Sequence, residues 1–113
     1  MIGIFLDDER NTEDVFWLNY PQGIEWYVVR TYADFYFCIC HMDDGEYVVS
    51  FDHDIQDYNL LGNELTGYDC LKSLVDFCLD TGAKLPVCFF HTQNPVGKLN
   101  MQTYYENAKK HLG

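Results

Sequence analysis

Four short runs of β-branched and aromatic residues constrain this chain more than any other feature: Ile2–Asp7, Trp26–Thr31, Tyr47–Asp52 and Pro86–His91. Each has the usual strand length of about six residues. Their apolar character is nearly continuous, the pattern of strands covered on both faces. Between them the period becomes helical. Phe35, Cys38, Ile39 and Met42 share one helix face, in a helix expected to end at Asp43-Asp44-Gly45. Leu71, Leu74, Val75 and Cys78 repeat the spacing behind Thr66 and Asp69, which stand as a capping box, and Gly82 stands where a C′ glycine belongs. A last helix uses Met101, Tyr104, Tyr105 and Ala108, with Asn100 as its expected cap. The first connection, Asp8–Gln22, has room for at most a short helix near Asp14–Leu18. Strands alternating with helices imply βαβ units, a parallel sheet and right-handed crossovers. The expected fold is one small three-layer α/β domain over residues 1–113, with a parallel sheet of about four strands and no evident fifth.

Charge narrows the classes of partner. The net charge is −11 over 113 residues, and it is unevenly placed. Residues 1–64 hold fourteen acids against Arg10 and Arg30, whereas residues 65–113 hold four acids against five lysines. This balance disfavours generic nucleic-acid binding through phosphate neutralisation. It favours a cation site, a basic protein partner or plain solubility. No apolar run is long enough to span a membrane. The stretch Met1–Asp7 lacks a basic flank and reaches acids too early for a signal peptide. The five cysteines are odd in number and form no C-x-x-C pair, so a reducing cytoplasmic setting is expected, with the thiols as small core residues.

Ligands of open parallel sheets collect beyond the carboxyl ends of the strands. There the chain places Asp7-Asp8-Glu9-Arg10, Asp52-His53-Asp54 and His91-Thr92-Gln93-Asn94. Asp7, Asp8 and Asp52 offer hard oxygen ligands to Mg²⁺ or Mn²⁺. Loop acids that are merely solvated, or that cap the following helix, are the plainer account. His53 sits between two carboxylates, and His91 stands beside Thr92, whose hydroxyl suits a phosphate oxygen. Two histidines across a phosphate make an acid–base pair; each bonding a loop carbonyl is the alternative. His41 and His111 fall on helix surfaces. Asn94-Pro95-Val96-Gly97-Lys98 reads as a turn whose backbone N–H groups and Lys98 suit an anion, or as a plain loop with a solvated lysine. No P-loop, dinucleotide-binding or nucleophile-elbow motif is present.

The blocks Leu6-Asp7-Asp8-Glu9-Arg10, Ser50-Phe51-Asp52-His53-Asp54, Thr66-Gly67-Tyr68-Asp69 and His91-Thr92-Gln93-Asn94-Pro95-Val96-Gly97 run in order through nearly the whole chain. Together they resemble the cyclic-phosphate-processing receiver-like family, a divergent form of the two-component receiver, which is a flavodoxin-like fold. The resemblance implies processing of cyclic phosphate ends of RNA, or of related cyclic nucleotides. Carried over residue by residue, Asp7 and Asp8 match the first-strand acids, Asp52, His53 and Asp54 the second block, and His91, Thr92 and Asn94 the last. Ordinary receivers carry a lysine after a fifth strand; here Lys98 is only a loose stand-in, which argues against aspartyl phosphorylation at Asp52. The leading expectation is therefore a metal-assisted phosphoesterase. In it Asp7, Asp8 and Asp52 hold the metal, His53 and His91 move protons, and Thr92, Asn94 and Lys98 orient the phosphate. The alternative is a non-enzymatic acidic module that engages a basic protein or sequesters a cyclic nucleotide. So acidic a rim repels RNA unless a cation sits there, so an RNA substrate is expected to be held by its end alone.

Overall fold

A computed structural model describes residues 1–42 and 46–112. The expected end of the first helix at Asp43-Asp44-Gly45 lies outside the described residues. All four apolar runs are strands: β1 (Ile2–Leu6), β2 (Glu25–Val29), β3 (Tyr47–Phe51) and, after the short hairpin described below, β6 (Val87–Phe90). They form one parallel sheet in the order β2-β1-β3-β6, with Leu6, Val29, Phe51 and Phe90 in register at its carboxyl edge. Three helices follow in chain order, α1 (Tyr32–Cys40), α2 (Gly67–Thr81) and α3 (Pro95–Leu112). No fifth parallel strand follows β6 among the described residues; the chain passes directly into α3. No helix among them is long and apolar enough to cross a membrane.

Strand alternation sorts the side chains into two faces. Ile4, Leu6, Val49, Phe51, Cys88 and Phe90 join Phe35, Ile39, Leu71, Leu74, Met101 and Tyr105 in one core, so all three helices cover the same face. The opposite face is covered by chain without regular helix. There Tyr20 packs edge-on against Trp26 and Phe89, and Phe5 packs edge-on against Trp26. The third layer is thus the irregular segment 8–24, whose only helical turn is a 3₁₀ turn at Thr12–Asp14 rather than a helix near Asp14–Leu18. Asp14 accepts the Asn11 N–H as a helix start would, but Val15 is extended (φ −95°, ψ 105°) and ends the turn there.

Local chemistry explains the helix ends. Thr66 N–H donates to the Asp69 carboxylate at 2.8 Å, and Gly82 takes the left-handed conformation that ends α2, at φ +74°. The expected cap at Asn100 is corrected. Asn100 lies inside α3, and the cap is Asn94, whose side-chain oxygen accepts Gly97 N–H at 3.1 Å. Pro95 then takes the first helical position, where its missing N–H costs nothing. A short antiparallel hairpin, β4 (Asp57–Tyr58) with β5 (Glu64–Leu65), was not expected from the sequence. Asp57 ties it to the start of α1 by accepting Tyr32 N–H at 2.9 Å. Cys70, Cys78 and Cys88 are core residues as expected, but Cys40 is exposed on the outer side of α1.

Strand β6 is an edge, and edges invite pairing with another chain. Tyr105 of α3 occupies it. Its hydroxyl accepts Cys88 N–H at 3.2 Å and donates to the Pro86 carbonyl at 3.0 Å. Tyr105→Phe leaves the buried Cys88 N–H without its partner and the Pro86 carbonyl with only the Cys88 thiol, at 3.6 Å, at a cost of about 1–3 kcal/mol. Urea unfolding is expected to show that drop in midpoint. An unchanged midpoint means that the hydroxyl does not seal the edge.

Candidate functional site

Asp7, Asp52 and His91 each follow directly on the last paired residue of β1, β3 and β6. The ladder continues through them: Asp7 N–H reaches the Val29 carbonyl at 3.1 Å, Asp52 N–H that of Leu6 at 2.9 Å, and His91 N–H that of Phe51 at 3.0 Å. Three side chains of one parity are therefore fixed by sheet hydrogen bonds at a single edge. Each is nearly or fully buried, and one potential ligand atom from each lies within 4.8 Å of the others.

Asp7 is the most heavily held. One of its oxygens accepts the Glu9 and Arg10 N–H groups at 2.9 and 2.8 Å, and the other accepts His91 Nε2 at 2.9 Å. Burial alone would raise its pKa, but the donors from His91, Arg10 and Glu9 outweigh burial and hold it at about 2. Arg30, at the end of β2, clamps the same loop. It donates to the carbonyls of Asp7 and Arg10 at 3.1 and 2.6 Å and to Asn11 Oδ1 at 2.7 Å. Among the described residues Asp52 accepts its neighbour's N–H, that of His53, at 2.8 Å, and contacts the Thr92 hydroxyl. Burial and the nearby charge of Asp7 push its pKa up. Asp8 is raised for the same two reasons, with Glu9 adding to them.

This electrostatic state tests the fit to a metal. Three hard carboxylates crowd one edge, and two of them are driven toward their neutral forms by burial and by mutual repulsion. A divalent cation is the group that relieves both. Asp7 and Asp52 fit such an ion, with one oxygen of each within 4.8 Å of the other.

Asp7, Asp8 and Asp52, with Thr92 and Asn94, line a single cleft of about 250 Å³ beyond the strand ends. That brings together five of the eight residues singled out from the sequence. His53, His91 and Lys98 are not among its lining. The cleft thus does not bring together on its lining the two histidines expected as an acid–base pair. Strand parity sends the His91 ring under the sheet, stacked on Phe5 at 4.3 Å between centroids, with Nδ1 on Ser50 Oγ at 2.7 Å. Both its nitrogens are engaged. His53 is partly exposed; its Nδ1 meets Asp54 Oδ1 at 2.9 Å, and its ring lies against Gly97. The His53 bond in turn lowers the Asp54 pKa. Lys98 is in the first turn of α3, where its N–H bonds the Asn94 carbonyl at 2.9 Å. Asn94 itself caps that helix and donates to Asp54 Oδ2 at 3.1 Å, so its amide is already committed.

Sequence reasoning passed over Arg10 and Gln93. Both line the cleft, and they are joined by a hydrogen bond of 3.2 Å. Arg10 also lies over the Trp17 ring at 5.3 Å and 3.5 Å from Asp7 Oδ2. The signal was present in the charge map. Arg10 and Arg30 are the only lysine or arginine residues of the acidic first 64, and both brace Asp7.

Residues 2–107 match a family model described as a cyclic-phosphate processing receiver domain. Neither the curated proteins nor the solved structures searched contain a match.

Proposed function

Since the chain belongs to the cyclic-phosphate processing receiver domain family, we propose that its cleft hydrolyses a cyclic phosphate, on an RNA end or a free nucleotide, with a divalent cation. One observation carries this reading: three carboxylates, two of them under-neutralised, share a cleft with an arginine and a threonine, at the carboxyl ends of parallel strands. Asp7, Asp8 and Asp52 would hold Mg²⁺ or Mn²⁺, which supplies charge neutralisation at the phosphate and a more acidic bound water. Arg10 and the Thr92 hydroxyl suit the phosphate oxygens, with Lys98 a more distant cation. In the reaction water attacks phosphorus, one ring P–O bond breaks, and the freed ribose oxygen takes a proton while the water loses one. His53 is the histidine open enough to move such a proton, with Asp54 holding its ring. His91 acts on Asp7 rather than on substrate.

The test is incubation of the protein and Mg²⁺ or Mn²⁺ with RNA bearing a 2′,3′-cyclic phosphate end and with cyclic mononucleotides, followed by ³¹P NMR. Wild type is expected to open the ring; Asp52→Asn is expected to be inactive and His53→Ala to lose about 10²–10⁴-fold, the usual contribution of a general acid or base. A wild-type protein inert on every cyclic phosphate with both cations overturns the proposal. The acid excess of residues 1–64 favours a second reading, binding of a basic protein partner. Salt-sensitive association that survives loss of His53 would favour it over the enzyme.

A further inference from the structure

Behind Asp7 a line of hydrogen bonds crosses the second face of the sheet. Asp7 Oδ2 meets His91 Nε2 at 2.9 Å, His91 Nδ1 meets Ser50 Oγ at 2.7 Å, and Ser50 Oγ meets the Tyr20 hydroxyl at 2.6 Å. Ser50 and His91 are fully buried. The surroundings are aromatic: Phe5 stacks on the imidazole, and the Tyr20 ring packs against Trp26 and Phe89. Trp17 adds an indole N–H to the His91 carbonyl at 2.9 Å.

Such a chain is not what stability alone calls for. Apolar side chains of similar shape commonly serve a buried face as well as a hydrogen-bonded polar set, or better. What the chain supplies is orientation. An ionised carboxylate only accepts, so His91 must present an N–H at Nε2. A lone buried imidazole has two tautomers and two ring orientations. The hydroxyl at Nδ1 selects among them, because it fixes which nitrogen faces Asp7. Ser50 needs the same help, since a hydroxyl rotates freely unless a second partner fixes it. Tyr20 is that partner.

We propose that Tyr20 and Ser50 are positioning residues of the cleft: through His91 they set the plane of the Asp7 carboxylate beside Asp52, and so govern how tightly a divalent cation is held. The idea rests on the reading of the cleft as a cation site. It also gives the irregular segment 8–24 a role in that site, because Tyr20 reaches the sheet from there.

The experiment measures Mn²⁺ affinity of the full chain by calorimetry, alongside cation-free unfolding temperature and ¹⁵N NMR of the histidine rings. Tyr20→Phe keeps the ring and its packing and deletes only the hydroxyl; Ser50→Ala removes the next link. Partners one step behind a metal ligand are typically worth about 10–100-fold in metal affinity. Tyr20→Phe is expected to weaken Mn²⁺ binding toward the lower end of that range and Ser50→Ala by more. In wild type the His91 resonances are expected to report a proton fixed on Nε2. Variants that bind Mn²⁺ as wild type does overturn the proposal even if they unfold at lower temperature, because the chain is then structural only. So does a wild-type His91 without a proton on Nε2. Wild type that binds no Mn²⁺ overturns the cation reading itself, an outcome separate from the other two.

Discussion

Asp7→Asn is expected to destabilise the cation-free protein, and Asp52→Asn to stabilise it, although the two carboxylates share one cluster. The reason is the opposite direction of their shifts. Asp7 is held at about 2 against an ordinary 3.8, so the fold favours its charged form. The difference corresponds to about 2 kcal/mol at neutral pH. Asparagine loses that and adds a mismatch. Its amide N–H₂ must face either His91 Nε2–H or the N–H groups of Glu9 and Arg10, donor against donor. Breaking a buried charge-assisted contact on one side costs about 3–5 kcal/mol. Asp52 is pushed up by burial and by the Asp7 charge, so the fold favours its neutral form, which asparagine imitates.

The pH dependence of the cation-free protein follows from the same signs. As pH falls from neutral, Asp52 and Asp8 take up protons first, the repulsion is relieved, and stability rises. The Asp7 contribution is fully present above 3.8 and is lost as pH falls from there through about 2. Urea midpoints are therefore expected to climb on mild acidification and then collapse. At neutral pH, Mg²⁺ or Mn²⁺ at a hundred times its Kd adds about 2.7 kcal/mol to wild type. It is expected to add little to either variant. A monotonic decline with acid, or equal cation stabilisation of wild type and Asp52→Asn, would remove the basis for a metal in this cleft.

What could be read in advance follows the range of the interactions. The apolar runs announce the strands, and Thr66, Asp69 and Gly82 bound α2, because strand burial and helix capping are written within a few residues. Asp7, Asp8, Asp52, Thr92 and Asn94 were placed on one rim because parallel strands bring their ends together. The start of α3 was misread because Asn94-Pro95 serves equally as a turn and as a cap followed by a first helical residue. The hairpin at 57–65 has strands of two residues, too short for any period to show. The full burial of His91 has a longer-range reason. Its parity with Phe89 sets it on the face away from the helices, but whether that face is open or roofed depends on segment 8–24. The Tyr20–Ser50 contact that roofs it joins residues thirty apart, with no local mark in either.

Two glycines in the blocks that carry the family resemblance are expected to fail differently on gaining a methyl group. At Gly67 an added Cβ would lie 1.7 Å from the Asp52 carbonyl oxygen, and Gly67 N–H donates to the His53 carbonyl at 2.7 Å. Backbone meets backbone there, so nothing can swing aside. Gly67→Ala must lift the start of α2 off the end of β3, at the upper end of the about 1–3 kcal/mol typical of overpacking, or beyond. It is expected to displace Asp52 and so to lose both stability and the cation response. At Gly97 the Cβ would meet the His53 ring at 2.5 Å, but that obstacle is a side chain, 19% exposed, and not backbone, so it can move. Gly97→Ala also gains up to about 1 kcal/mol of helix propensity inside α3. Its unfolding temperature and cation response are expected to stay near wild type, while ring opening of the cyclic phosphate falls because His53 no longer stands over the helix start. Thermal unfolding with and without Mn²⁺, set beside the ³¹P assay, separates the two. If Gly67→Ala unfolds like wild type, strand end and helix part without cost and Asp52 is not fixed by that contact. If Gly97→Ala keeps full activity, the position of the His53 ring is not used in the chemistry.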